Sequence, residues 1–156
     1  MLADKKIWVD ADATPRPVKE MLYRIAQRKI PISIVFVANQ RLHLPKNSKL
    51  TMQVVGKGFD VADEWIADHA EPGHLVISAD VPLAAAVVEK GAVCVTPHGE
   101  VIDANNARSR LAMRDYMETM RESGEIVGSG PKPYSDKDKR KIAGVLDKWL
   151  ATGRIG

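Results

Sequence analysis

The chain has 156 residues, 45% hydrophobic and 5% aromatic, with a single cysteine and a formal net charge of +3. This length accommodates one sizeable core and does not require a second. The aliphatic bias suits strands covered by helices on both sides better than a sandwich of sheets, one thiol excludes an intrachain disulfide framework, and so small a cationic surplus does not by itself assign a polyanion as partner.

Residues 6–9 form a short run of β-formers ending at Asp10, and a helical pattern follows over residues 15–27. Residues 32–38 predict a second strand, residues 39–47 a polar, proline-bearing loop, and residues 52–55 a third strand closed by a turn at Gly56 and Gly58. Val61, Ala62, Trp65 and Ile66 then recur at helical spacing, with Asp60 in the N-cap position. Residues 75–78 read as a buried strand, the alanine-rich residues 81–90 as a helix with Gly91 as its C-cap, and residues 92–96 as a further strand. Cys94, inside that apolar run, is expected to be buried, as suits a reducing compartment.

This alternation predicts βαβ crossovers and hence an α/β fold, a three-layer parallel sheet with helices on both faces. Past Pro97 the pattern turns helical. Over residues 104–121, Leu111, Met113, Tyr116, Met117 and Met120 fall largely on one face, which is expected to pack against the core. A glycine, serine and proline linker follows, and Ser135 is placed to cap a final helix with Ile142, Val145, Leu146 and Trp149 on one stripe. That stripe must cover either its own domain or a second subunit. The expected organisation is a domain over residues 1–123, a linker over 124–134, and a C-terminal helix and tail over 135–156. No apolar stretch approaches the roughly 20 residues of a membrane span, and the first residues lack a signal peptide's apolar core, so a cytoplasmic location without membrane attachment is expected.

In an open parallel sheet, the loops leaving the carboxyl ends of the strands emerge on one rim beside helix N-termini, so position in the chain predicts position in space. Asp10 and Asp12 leave the first strand, Asp60 and Asp63 open the helix after the third, and Asp80 follows the strand ending in Ser78. All five are expected to face one rim, Asp60 and Asp63 from one helix face. Helix capping explains Asp60 or Asp80 taken singly, and a turn explains Asp12. Neither explains recurrence after three separate strands. Crowded carboxylates repel unless a cation neutralises them, and oxygen donors without a thiolate or imidazole cluster favour Mg²⁺ or Mn²⁺ over zinc.

Several segments carry a family resemblance: Val9-Asp10-Ala11-Asp12-Ala13, Pro15 to Lys19, Val37-Ala38-Asn39-Gln40, Gly58-Phe59-Asp60-Val61-Ala62-Asp63, Ser78-Ala79-Asp80-Val81-Pro82-Leu83-Ala84 and Met113-Arg114-Asp115-Tyr116-Met117. Over nearly the whole chain they resemble the bacterial YaiI/YqxD family. That family is similar to the PIN-like nucleases, above all their NYN branch, in which an aspartate after the first strand, an Asp-Val-Ala-Asp type helix start and a Ser-x-Asp turn carry metal ligands. The resemblance thus implies a PIN-like fold and points to Asp10, to Asp60 with Asp63, and to Ser78 with Asp80. Many members read Asp-Ala-Cys-Pro where this chain reads Asp12-Ala13-Thr14-Pro15, so a thiol there is not essential to a shared activity.

The expected function is a metal-dependent phosphodiesterase acting on RNA or DNA. Asp10, Asp63 and Asp80 hold Mg²⁺ or Mn²⁺, Asp60 and Asp12 bind it directly or through a ligand, and Asp10, Asp12, Asp63 and Asp80 form the catalytic set. Arg16, Lys19, Asn39, Ser78, His98, Arg108 and Arg114 are the candidate substrate contacts, and the basic run at 137–141 could lengthen the track. Each basic residue has a plainer reading as solvated surface, and Arg114 with Asp115 as a structural ion pair.

Two alternatives stand beside this. Asp10-x-Asp12-x-Thr14 looks like the first motif of haloacid dehalogenase-type phosphatases, with Asp10 as nucleophile, but Thr96, Pro97 and His98 stand where those enzymes place a late acidic pair. The other is a non-catalytic module binding RNA or nucleotide, which the scarcity of aromatic side chains disfavours. The expected partner is nucleic acid, RNA before DNA, with a homodimer as the other use of the C-terminal helix.

Overall fold

A computed structural model describes residues 5–58, 60–125 and 133–155. The strands are β1 (Lys6–Asp10), β2 (Ser33–Ala38), β3 (Leu50–Val54), β4 (Leu75–Ile77), β5 (Val93–Val95) and β6 (Val101–Ile102). The helices are α1 (Arg16–Ala26), α2 (Val61–His69), α3 (Val81–Glu89), α4 (Ala107–Glu122) and α5 (Asp136–Thr152), and a 3-10 turn, Ala11–Ala13, joins β1 to α1. Most of the expected linker at 124–134 lies outside the described residues. Among the described residues no helix is long and apolar enough to cross a membrane.

The strands form one sheet in the order β3-β2-β1-β4-β5-β6, parallel except where β6 pairs antiparallel with β5. From β1 the chain first winds one way, to β2 and β3, and then returns to lay β4 and β5 on the other side. The switch point therefore falls between β1 and β4, where Ile7 pairs with Leu75 and Val9 with Ile77.

Strand periodicity of two divides the core into two layers. Ile7, Val9, Ile34, Phe36, Leu75 and Ile77 face α1 and α5, whereas Trp8, Val35, Val37, Val76 and Cys94 face α2, α3 and Ala107 at the start of α4. This three-layer α/β arrangement is the expected one, and Cys94 is buried as expected, its thiol pushed up to about 12 by that burial.

The final helix covers its own sheet: Ile142, Leu146 and Trp149 are fully buried against the β1 and β2 side chains. Ser135 caps it in a capping box with Asp138, two orphan backbone donors being satisfied reciprocally. Its start packs so closely on the turn at Gly99 (φ +87°) that a Cβ there would lie 2.8 Å from the Ile142 nitrogen, which leaves room only for glycine.

Helix α4 departs from expectation. Of its residues only Ala107 is buried, and Met113 and Tyr116 stand 59% and 55% exposed, so the predicted apolar face does not pack on the core. It docks on α3, and Leu111, Met117 and Met120 of that face are only partly buried. The two-residue strand β6 also escaped the sequence reading, being too short to carry a periodicity.

Candidate metal centre

The switch point brings the carboxylates together because Asp10 is the last residue of β1 and Asp80 begins α3 directly after β4. Asp10, Asp12, Asp60, Asp63 and Asp80 all line one cavity of about 260 Å³, whose wall is completed by Asn39, Gly56 and Gly58. A neighbouring recess of about 280 Å³ is lined by Asp60, Asp63 and Asp80 again, with Glu64 and Arg114. Asp60, Asp63 and Asp80 each offer a carboxylate oxygen, and these oxygens lie within 4.8 Å of one another. That separation lets one oxygen-preferring divalent ion draw on all three.

Hydrogen bonds fix the geometry from β1 across to α3. The Ser78 hydroxyl donates to Asp10 Oδ2 (3.2 Å) and accepts from the Asp80 backbone N–H (3.0 Å), while Asp80 Oδ1 accepts from the Leu83 N–H (2.8 Å) and caps α3. Thr14, also buried, donates its hydroxyl to the Asp10 carbonyl (2.7 Å) and braces the turn out of β1. On the open side, Asp12 Oδ2 accepts from the Asn39 backbone N–H (3.1 Å), which ties the end of β2 to the site.

Asp60 occupies the N-cap position of α2 but forms no side-chain cap bond, and its backbone is left-handed (φ 65°). Asp is one of the few residues to visit that region as a single residue, at a cost of roughly 1–2 kcal/mol. The strained backbone leaves the carboxylate in the cavity wall, not folded over its own helix.

The electrostatics register the crowding. Burial raises the Asp10 carboxyl above its ordinary range against the opposing hydrogen bond from Ser78, and Asp12 and Asp80 raise it further. Asp63 is raised to about 7, first by burial, then by the charges of Asp80 and Asp10, by a hydrogen bond to Asp80 and by the charge of Asp60. Asp63 therefore holds its proton into the neutral range.

The expected substrate contacts scatter more widely. Arg114 reaches the second recess, where it is the only cation among the lining residues, and donates to Asp115 (3.1 Å) and Glu118 (2.8 Å). Asn39 lines the first cavity. Ser78, by contrast, is buried with its hydroxyl engaged, so it braces the carboxylates and is not exposed to a substrate. His98 sits 3.2 Å from Asp138 at the start of α5 and is not among the residues lining either cavity. Arg16 is exposed and paired with Glu20 (3.0 Å), and neither Arg16, Lys19 nor exposed Arg108 lines either cavity. Glu64 was missed by the sequence reading, although its place one residue beyond Asp63 in the first turn of α2 was a usable signal.

Similar proteins span almost the same length. A UPF0178 protein of Shewanella baltica strain OS223 is 51% identical over 149 residues, covering 96% of this chain and 98% of its own. One of Hahella chejuensis is 49% identical over 146 residues, covering 94% and 96%, and one of Proteus mirabilis 51% identical over 144 residues, covering 92% and 94%. No solved structure is a significant match. The family model described as uncharacterized, YaiI/YqxD family, matches residues 8–152, and the chain belongs to that family.

Proposed function

We propose that the protein is a Mg²⁺- or Mn²⁺-dependent phosphodiesterase that cleaves RNA or DNA at the carboxylate rim. The observation that carries this reading is the approach of the Asp60, Asp63 and Asp80 oxygens to within 4.8 Å at the switch point of a parallel sheet. Support comes also from the likeness of the segments around Asp10, Asp60 with Asp63, and Ser78 with Asp80 to the ligand positions of PIN-like nucleases.

In this reading Asp60, Asp63 and Asp80 hold the ion, with Asp10 beside them under the hydrogen bond from Ser78. The bound ion would supply Lewis acidity toward a phosphoryl oxygen and lower the pKa of water. The protein's own groups do the rest. Asp12, exposed and held by the Asn39 N–H, would orient a water molecule and accept its proton. Arg114 offers donors to a phosphate oxygen from the second recess, offsetting charge that develops there. Asp63 must give up its proton for the ion, so metal affinity should rise with pH.

The test has two parts. Millimolar Mn²⁺ or Mg²⁺ is expected to raise the Tm, and Asp80→Asn to remove that response while retaining the fold; a mutant that responds like wild type excludes Asp80 from the site. Incubation with mixed single-stranded RNA and DNA plus metal, beside p-nitrophenyl phosphate, then reads the reaction. Cleaved polymer supports the proposal, released nitrophenol with intact polymer favours a phosphatase, and binding without cleavage of either leaves a recognition module.

A further inference from the structure

A groove runs between α1 and α5, on the face of the sheet opposite α2 and α3. It encloses about 410 Å³ and takes Arg24 and Arg28 from one side and Asp136, Lys139 and Arg140 from the other. Four cations thus meet one carboxylate. Arg28 pairs with Asp147 (3.1 Å), whereas Arg24, Lys139 and Arg140 take part in none of the ion pairs formed among the described residues. The net surplus of +3 therefore conceals a segregation, with carboxylates gathered at the rim and unneutralised cations gathered here.

The groove is connected to the rim by the way both helices begin. Helix α1 starts just past the 3-10 turn that leaves Asp10. Helix α5 starts against the end of β5, where the Tyr134 hydroxyl donates to the Pro97 carbonyl (2.8 Å) and His98 meets Asp138 (3.2 Å). Both helices therefore descend from the carboxyl rim, and the Arg28–Asp147 pair marks the far end of the groove between them.

The arrangement of the cations identifies the kind of ligand. Arg24 and Arg28 stand four residues apart on one wall and Lys139 and Arg140 side by side on the other, so cations flank the groove from both sides, which suits a strand of separated charges lying between the walls. Met21 and Ala143 line the groove with them, and it contains no aromatic side chain on which a base could stack. Contact is then with backbone phosphates and neutral to sequence. We propose that the α1/α5 groove binds the phosphodiester backbone of a nucleic-acid strand whose neighbouring segment lies at the carboxylate rim. The link to the rim rests on the phosphodiesterase reading; the binding itself needs no metal.

The experiment measures fluorescence anisotropy of a labelled poly-uridine strand in EDTA over a salt series, with wild type, Arg24→Gln/Arg140→Gln and Asp80→Asn. Wild type is expected to bind with an affinity that falls steeply with salt. The double variant is expected to bind about tenfold more weakly, with a log–log salt slope reduced by about 1.4, since each single-strand phosphate contact contributes about 0.7. Asp80→Asn should bind at least as well as wild type. If the double variant melts below wild type, Lys139→Gln alone is read, with a slope reduced by about 0.7.

Unchanged affinity and slope in the groove variants overturns the proposal, as does failure of wild type to bind. Stronger binding to vesicles of anionic lipid than to the strand overturns it as well, in favour of a membrane surface. If groove variants lose binding but no metal-dependent cleavage is found, the groove stands and the phosphodiesterase reading falls. Cleavage that survives with unaltered salt dependence in the variants removes the groove alone.

Discussion

Helix α5 brings Ile142, Leu146 and Trp149 from water to full burial, whereas the carboxylate rim crowds Asp10, Asp63 and Asp80 until two of them hold protons more tightly than a free carboxyl group. The first region stabilises the fold by removing apolar surface from water. The second opposes it, because like charges are held together in a partly buried place. The contrast separates what the chain needs in order to fold from what it retains at a cost, and a retained cost at a switch point is the mark of a site.

The comparison breaks most readily at Trp149. Trp149→Ala removes a fully buried indole and is expected to destabilise the protein by about 3–5 kcal/mol, read by denaturant unfolding. A loss below about 1 kcal/mol would mean that α5 does not lie on the sheet in solution.

A smaller effect of opposite sign is expected at Asp63. Its folded pKa of about 7 lies above the unfolded value of roughly 3.9, so the folded state binds the proton more tightly. That contribution is complete below about pH 4 and is lost as the pH rises through 7. In EDTA the wild type should thus lose Tm between pH 5 and pH 8, Asp63→Asn should lose less, and the variant should be more stable at pH 8 by roughly 1 kcal/mol, well under the full shift because water reaches the rim. Added Mn²⁺ should reverse the wild-type trend, as the ion takes the place of the proton. A flat pH profile for wild type contradicts the crowding.

The smallest effect belongs to α4. Met113→Ser and Tyr116→Ser are expected to change stability by no more than about 0.5 kcal/mol, since both side chains are exposed. A larger loss, measured at two protein concentrations, would show that another molecule covers this face.

The two C-terminal helices also show how far the sequence could be read. Both carry apolar residues at helical spacing, yet Trp149 is buried and Tyr116 is not. Periodicity states that a helix has an apolar face, and whether that face is covered depends on which part of the sheet the other helices leave uncovered. Asp60 gives the same lesson on a smaller scale: its place before an apolar helix reads as a cap, but only the left-handed backbone turns its carboxylate from cap to cavity wall. His98 follows β5 at the carboxyl ends of the strands, but it pairs there with Asp138 of α5 and does not line the carboxylate cavity.

By itself the sequence determined the alternation of strands and helices, the burial of Cys94 and the arrival of five aspartates on one rim, because these follow from local periodicity and from the one-sided exit of loops from a parallel sheet. The tertiary structure alone decided which carboxylate oxygens come within one ion's reach, that Ser78 is a buried brace, that α5 and not α4 completes the core, and that Arg24 meets Lys139 and Arg140 in one groove. Those outcomes depend on contacts between residues far apart in the chain, whose distances are set by packing and leave no periodic trace in the sequence.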